Sequence, residues 1–230
     1  NYKGSNRSLN ATLESTITDR LTNFGYQSNK TGFFIGSGFE FYDDLYWNTG
    51  VSSYIEKLDT DNTASASMKK QEGSYFDTYF KHTLSYDKRN QRYQTSDGYI
   101  SRFTQSIPLI SESYTLINSY DYKIYNEWLD KNIFSIGFFG KTSNSLSGKD
   151  VKLSDRLYLP ASKLRGFESG KVGPKDGTDY IGGNYAVSLN IATSLSQILP
   201  NSQNTNFSIF FDAANVWGID YNSSLSDESK

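Results

Sequence analysis

The sequence predicts an all-β fold, specifically a transmembrane antiparallel β-barrel, and three observations support this prediction. Its 230 residues include 18 Tyr and 15 Phe but only 1 Met, a composition that suits strands better than helices. Apolar and polar residues alternate in segment after segment, as in strands with two chemically different faces. The mean hydropathy of −0.60 is compatible with a membrane barrel, because only alternate residues face lipid.

Nine strands are predicted from this alternation. In the first, Leu9, Leu13 and Ile17 lie on one face and polar residues such as Asn10 lie on the other. The later strands repeat the pattern, although the sixth shows it weakly. Their length is roughly the ten residues that a tilted strand needs to cross a bilayer. The predicted strands cover, in order, residues 8–17, 33–41, 47–56, 76–85, 102–107, 114–126, 133–142, 185–192 and 207–212.

The connections between these strands differ in length. Residues 42–44 form a tight turn, whereas residues 58–73 and, above all, 145–182 form long loops. Long loops on one rim and short turns on the other are typical of outer-membrane barrels, which in bacteria have even numbers of strands. An odd number of strands, and a chain that begins Asn1-Tyr2-Lys3 without a leader, lead us to expect that residues 1–230 are a fragment of a single barrel domain.

A soluble β-sandwich would also show short amphipathic strands separated by turns. We favour the barrel because the polar face is too hydrated for the interior of a sandwich. Aromatic residues also lie near strand ends, as in the girdles at the two membrane interfaces. These aromatic residues are Tyr26, Tyr46, Trp47, Tyr99, Trp128 and Trp217.

The sequence offers little for catalysis. It has no Cys and a single histidine, His82, so a thiol site, a metal site or a Ser-His-Asp triad has little support. The formal net charge is −2 and no basic block is present, which argues against nucleic acid as a partner. We therefore expect no catalytic residues, no metal and no cofactor, and we expect that the protein is not an enzyme.

The most informative motifs lie in the longest loop and directly after it. They are Leu164-Arg165-Gly166-Phe167, Gly173-Pro174-Lys175, Gly182-Gly183-Asn184 and the strand segment from Asp212 to Trp217. A single Arg-Gly-Phe carries no information, but the ordered set resembles BamA-type outer-membrane protein assembly factors of the bacterial surface antigen superfamily. The resemblance is specific over residues 157–217 and weaker upstream. It implies that the chain covers about the fifth to the thirteenth of sixteen barrel strands, without the first and last strands and without the periplasmic domains.

The resemblance also implies roles for individual residues. In the family the Arg-Gly-Phe loop folds back into the barrel lumen, which makes Arg165 the lumenal arginine and Asp212 its partner on the inner wall. Asp212 has the parity of Ser208 rather than that of the apolar Phe211, so we expect it to point into the lumen. A guanidinium can bind a carboxylate through two parallel hydrogen bonds, and Gly166 would allow the backbone to bend.

The chain departs from the family pattern at some positions. Asn190 stands where relatives often place a second inward-facing acid, and Ala214 stands where they have glycine. We therefore expect a weaker negative charge around Arg165. In an alternative interpretation Arg165 is a solvated loop residue and Asp212 has no partner, since exposed ion pairs contribute little.

The resemblance implies a function in the outer membrane. The intact protein would fold and insert client β-barrel proteins. Its partners would be unfolded outer-membrane proteins, membrane lipids, and accessory assembly lipoproteins bound through the periplasmic domains. A TamA-like factor and a two-partner secretion transporter share the Arg-Gly loop and stay open as alternatives. A passive porin needs the same barrel, but it gives no reason for Arg165 to pair with Asp212.

Overall fold

The computed structural model describes residues 7–20, 24–129, 132–195 and 207–220. The start of the chain, on which the expectation of a fragment partly depends, lies outside them. Within the described ranges, a short helix, α1 (Ala66–Lys69), and a 3-10 turn (Leu153–Asp155) accompany the strands. The strands are β1 (Arg7–Arg20), β2 (Tyr26–Tyr42), β3 (Leu45–Thr60), β4 (Gly73–Asp87), β5 (Gly98–Ile110), β6 (Thr115–Leu129), β7 (Asn132–Ser145), β8 (Lys175–Asp176), β9 (Asp179–Tyr180), β10 (Tyr185–Ser194) and β11 (Ser208–Trp217).

Nine of the strands in the described ranges form one antiparallel sheet. They lie side by side in chain order, from β1 to β7 and then β10 and β11, while β8 and β9 pair only with each other. Each long strand thus pairs with its neighbours in sequence, as in an up-and-down barrel wall. The prediction of an all-β antiparallel fold with nine barrel strands is confirmed.

The two faces of the sheet differ in chemistry. We call the face that carries residues 146–184 the inner face and the opposite one the outer face. On the outer face, exposed apolar residues are neighbours across strands, such as Leu13 beside Phe33 and Ile55 beside Phe76. Leu13 is 89% exposed. A continuous apolar surface of this kind fits contact with lipid.

The strands are longer than predicted. β2 has 17 residues and β3 has 16, whereas a bilayer crossing needs about ten. The extra residues of β2 and β3 lie under the long loop, where Tyr26 and Leu58 belong to a buried apolar cluster. Strand pairing continues there because the loop buries these residues.

The expected aromatic girdle is partly wrong. Tyr26 lies under the loop with only 2% of its surface exposed. Tyr46 lies opposite Ser85 in the register that places it on the inner face. Tyr99, by contrast, packs on the outer face between Tyr86 and Tyr122, with ring centroids 5.7 and 6.0 Å apart. An aromatic residue near a strand end does not by itself reveal its face.

The two rims carry different connections. Residues 61–72, 111–114 and 146–184 lie at one end of the sheet, which we call the long-loop rim. Residues 43–44 and 88–97 lie at the other end, the short-turn rim. Among the described residues, no helix is long and apolar enough to cross a membrane.

Candidate functional site

The connection from β7 to β10, residues 146–184, folds onto the inner face. Leu157 and Gly183 exchange backbone hydrogen bonds of 2.8 and 3.0 Å, which close the loop at its base. The short hairpin of β8 and β9 lies between them in sequence. The loop ends two residues later than the predicted 145–182 span, and it is a candidate functional element because it has a defined structure against the wall.

Leu164 attaches the tip of the loop through apolar contacts. It is 8% exposed and belongs to a buried cluster of loop and inner-face residues. Full burial of a leucine side chain contributes about 1.5–3 kcal/mol, so the tip is held by more than charge. The other members of the cluster are Phe139, Leu157, Leu159, Val172, Ala186 and Val216.

Arg165 lies directly against Asp212 on β11. Its Nη2 donates to Oδ1 at 2.6 Å and its Nε donates to Oδ2 at 2.7 Å, while its backbone N–H donates to Oδ2 at 2.9 Å. The guanidinium carbon also lies 3.8 Å from the centroid of the Phe210 ring. Hydrogen bonding to Asp212 raises the pKa of Arg165 above its usual value, so the arginine stays charged. A bidentate pair fixes the orientation of the loop as well as its position.

Asn190 on β10 completes this contact. Its Nδ2 donates to Asp212 Oδ1 at 2.8 Å and to the carbonyl oxygen of Lys163 at 2.9 Å. A carboxylate at this position could not donate either bond and would lie beside the carboxylate of Asp212. Asn190, from which we predict a weaker negative charge around Arg165, thus supplies a hydrogen-bond donor that links the wall to the loop backbone.

Gly166 turns the chain after Arg165. Its φ is 83°, in the left-handed region that glycine adopts without strain. The next residue, Phe167, is 60% exposed. Of the four motif residues, Leu164 and Arg165 therefore attach the loop, Gly166 shapes it, and Phe167 stays accessible.

A second group of charged residues, which sequence reasoning missed, holds the loop near its base. Lys152 Nζ lies 2.6 Å from Asp77 Oδ2 on β4, 2.9 Å from Glu56 Oε2 on β3 and 3.7 Å from Asp155 Oδ2. Lys30 Nζ on β2 lies 3.5 Å from Glu56 Oε1. We call these five residues the Lys152 cluster. The side chains of Glu56 and Asp77 have no exposed surface, and that of Lys152 is 3% exposed.

Hydroxyl groups complete the Lys152 cluster. Ser28 donates to Glu56, and Ser111 donates to Asp77 Oδ1 at 2.5 Å. Burial alone would lower the pKa of Lys152, but the carboxylates of Asp155, Glu56 and Asp77 outweigh it and raise that pKa above its usual value. Lys152 therefore stays charged at neutral pH and binds the loop to two neighbouring strands.

The whole chain, residues 1–230, matches the model of the Omp85 superfamily domain. The chain belongs to the Omp85 superfamily. Its fold is similar to that of BamA from Haemophilus ducreyi lacking POTRA domains 1–3, with a TM-score of 0.79 and 19% sequence identity over 94% of this chain and 48% of that one. It thus spans about half the length of that structure. A search of curated protein sequences found no match.

These comparisons confirm the resemblance that the motifs predict, at the level of family and fold. Membership of the Omp85 superfamily together with the barrel fold implies that the protein lies in the outer membrane.

The predicted residues after the loop tip pack closely against β11. Gly173 has a φ of 111°, and a Cβ there would lie 2.8 Å from the Cβ of Val216. Pro174 is fully buried. Lys175 is exposed, with its ammonium 4.3 Å from the centroid of the Tyr180 ring. Gly173 and Pro174 therefore bring the loop close to the wall, whereas the ammonium of Lys175 lies against Tyr180 of its own hairpin.

Gly182, Gly183 and Asn184 lead from the loop into β10. A Cβ on Gly183 would lie 2.4 Å from the carbonyl oxygen of Trp217, so only glycine fits between the two chains. The backbone N–H of Asn184 donates to the carbonyl of Gly218 at 2.9 Å. Trp217 itself lies on the outer face, where its ring stacks on Tyr185. The predicted set thus contains loop-attachment residues and one residue of the lipid-facing surface.

Asp220, just after β11, ties the base of the loop in this Omp85 chain. Its Oδ1 accepts from Arg156 Nη2 at 2.6 Å, and its Oδ2 accepts from the backbone N–H of Val151 at 3.0 Å. Within the described ranges, no group of three or more His, Cys, Asp or Glu residues could hold a metal ion. The chemistry of the site is that of paired charges which attach a loop to a wall.

Proposed function

We propose that the full-length protein folds and inserts client β-barrel proteins into the outer membrane of Gram-negative bacteria. The observation that carries the proposal is the Arg165–Asp212 pair, which attaches the Arg-Gly-Phe loop of an Omp85 chain to its inner wall. The clients are unfolded outer-membrane proteins. Lipids contact the outer face, and accessory lipoproteins bind through periplasmic domains. The proposed role involves no enzymatic reaction, no cofactor and no nucleic acid.

The proposed mechanism is strand templating. An unpaired backbone N–H or C=O group costs several kcal/mol in lipid, so a client strand is stabilised when it pairs with an available strand edge. The proposal places that edge at a weakly paired seam between the first and last strands of the barrel. This chain contributes the wall opposite the seam and the lumenal loop.

The loop suits this role because it connects strands that are not adjacent. The Lys152 cluster attaches it to β3 and β4, Lys163 is bound to β10 through Asn190, and Arg165 is bound to β11 through Asp212. Three strands, β5 to β7, lie between these two places in the sheet. A brace of this kind would keep the wall in shape while the seam opens, and this is the function that we assign to the loop.

Client folding in liposomes tests the proposal. The full-length protein is reconstituted, and the folding rate of a urea-denatured client barrel is measured with and without it. We expect the wild-type protein to accelerate client folding and Arg165→Ala to lose much of the acceleration, while the loop variant Lys171→Ala, which removes a half-buried lysine paired with the exposed Glu168, keeps it. Ion conductance without acceleration would favour the porin. Transport of one partner protein without acceleration would favour the secretion transporter.

A further inference from the structure

A cavity of about 460 Å³ lies on the inner face beside the tip of the loop. Its walls are inner-face positions of β5, β6, β7 and β10, the loop tip covers one side, and Arg89 of the short-turn rim lies at another. The volume falls within the range of small-molecule sites, about 300–1,000 Å³. The proposed function gives this cavity no role.

Among the described residues, the cavity is lined by five cationic side chains and one carboxylate, that of Asp121. Three of the cations are paired. Lys163 binds Asp121 at 2.7 Å, and Arg165 binds Asp212 at 2.6 Å. Arg89 binds its near neighbour Asp87 at 2.7 Å.

The other two cations, Arg102 and Lys123, are exposed and have no carboxylate within 4.0 Å in the part of the chain that the structure describes. Arg102 lies opposite Asp121 in the sheet register, but that carboxylate is bound to Lys163. Among the described residues of its walls, no side chain neutralises these two positive charges, although Lys123 Nζ lies 4.9 Å from the centroid of the Tyr125 ring.

The chemistry of the lining identifies the class of ligand. A guanidinium offers a planar fork to phosphate oxygens and an ammonium offers a compact point charge, so Arg102 and Lys123 together suit an oxyanion with two negative charges. An extended peptide fits less well. The strands β5, β6, β7 and β10 are each paired on both sides, so the cavity offers no free strand edge to a peptide backbone.

We propose that this cavity binds a phosphate-bearing anion, with Arg102 and Lys123 as its ligands and Arg165 and Lys163 completing the positive surface. The anion is either a free phosphorylated compound or the phosphate headgroup of a lipid. Arg165 also attaches the loop tip. The bound anion is therefore a third partner of its guanidinium, beside the carboxylate of Asp212 and the ring of Phe210. The site does not depend on the proposed assembly function.

Pyrophosphate is the probe for this site. It is titrated calorimetrically into the full-length protein in a zwitterionic detergent, and the same titration is made with the double variant Arg102→Gln, Lys123→Gln. We expect saturable binding to the wild-type protein and a loss of affinity of about tenfold or more in the double variant, because charge-assisted hydrogen bonds are lost. Arg92→Gln, which removes an exposed cation of the same rim outside the cavity lining, should bind as the wild type does.

A second arm identifies the source of the phosphate. The titration is repeated with protein reconstituted in phosphatidylcholine vesicles with and without phosphatidic acid. Weaker pyrophosphate binding in the presence of phosphatidic acid indicates a lipid headgroup, and unchanged binding indicates a free anion. The proposal is overturned if the wild-type protein shows no saturable binding. It is also overturned if the double variant binds as tightly as the wild type while its heat-dependent mobility in gels is unchanged, which shows that it is folded.

Discussion

Arg165 at the tip of the loop and Lys152 near its base both bind carboxylates of the inner face, but their surroundings differ. The Arg165 side chain is 34% exposed and meets one carboxylate in a bidentate arrangement. The Lys152 side chain is 3% exposed and lies among three carboxylates, two of which have no exposed surface. At the tip the guanidinium is thus partly hydrated, although the Asp212 side chain beneath it is only 3% exposed, whereas at the base Lys152 and its nearest carboxylates are all dry.

The contact with the more precise geometry is therefore not the contact whose loss costs the most free energy. At a partly exposed site, water can replace a lost partner, so a broken pair costs little beyond its hydrogen bonds. In a dry site, loss of one partner leaves a buried charge that nothing compensates. We therefore expect the tip to set the orientation of the loop and the base to set the penalty for detaching it.

The largest effect is expected for Lys152→Met, which leaves the buried carboxylates of Glu56 and Asp77 without their main cation. The free energy of unfolding should fall by about 3–5 kcal/mol. Urea unfolding of the full-length protein in lipid bilayers measures it. The matched control is Lys171→Met on the same loop, whose partner Glu168 is 65% exposed; a similar loss in both variants would contradict the comparison.

A smaller effect is expected when the charges of the base are removed together. In the triple variant Glu56→Gln, Asp77→Asn, Lys152→Met, no uncompensated charge of these three residues is left, since replacing a buried ion pair as a whole is often nearly neutral. The triple variant should therefore be more stable than Lys152→Met alone, in the same urea experiment. If the losses of the single variants simply added, the cluster would stabilise the loop directly.

At the tip, Arg165→Lys sharpens the comparison because it keeps the charge and loses the fork. We expect Arg165→Ala to lower the free energy of loop attachment by about 1–2 kcal/mol and Arg165→Lys to lose a large part of this amount. The rate of proteolytic cleavage within residues 160–175 measures attachment. Lys175→Ala, which removes an exposed cation of the same loop, should be cleaved at the wild-type rate, and a wild-type rate in Arg165→Lys would show that charge alone suffices.

The smallest effect, with opposite sign, is expected for Asp155→Asn. Burial raises the pKa of Asp155, so protonation of this carboxylate favours the folded state. This contribution to stability is fully present below the unfolded pKa of about 4, and it is lost as the pH rises through the higher folded pKa. At neutral pH the asparagine should leave the free energy of unfolding unchanged or raise it by less than about 1 kcal/mol. Urea unfolding at pH 4 and pH 7 checks this, and a loss of several kcal/mol at pH 7 would mean that Lys152 needs this carboxylate.

The strands and the motif loop could be read from local patterns. Alternation such as that of Leu9, Leu13 and Ile17 places residues on one face because the strand period is two, and this holds whatever surrounds the strand. Asp212 could be assigned to the inner face for the same reason. The strand ends were predicted less well, because Tyr26 and Leu58 are buried by Leu153 and Ile181 of the loop, which lie 95 or more residues further along the chain.

The Lys152 cluster could not be predicted from local patterns in the sequence. Glu56 and Asp77 look like ordinary polar residues of an inner face, and Lys152 looks like a solvated lysine of a long loop. Lys152 is 96 residues from Glu56 and 75 residues from Asp77 in sequence, and no pattern among neighbouring residues indicates these contacts. The hints in the sequence were the inward parity of Glu56 and Asp77, each close to the end of a predicted strand.

The sequence by itself determined the number of barrel strands, the two faces and the motif that defines the loop, because each depends on residues near one another in the chain. Only the tertiary structure decided how the base of the loop is attached, which of its cations become buried, and which inner-face cations have no carboxylate partner among the described residues. The burial of a residue depends on which other parts of the chain pack over it, and the pairing of charged residues depends on that burial. Arg102 and Lys152 are both cations in the sequence, but one faces an open cavity and the other is enclosed by carboxylates.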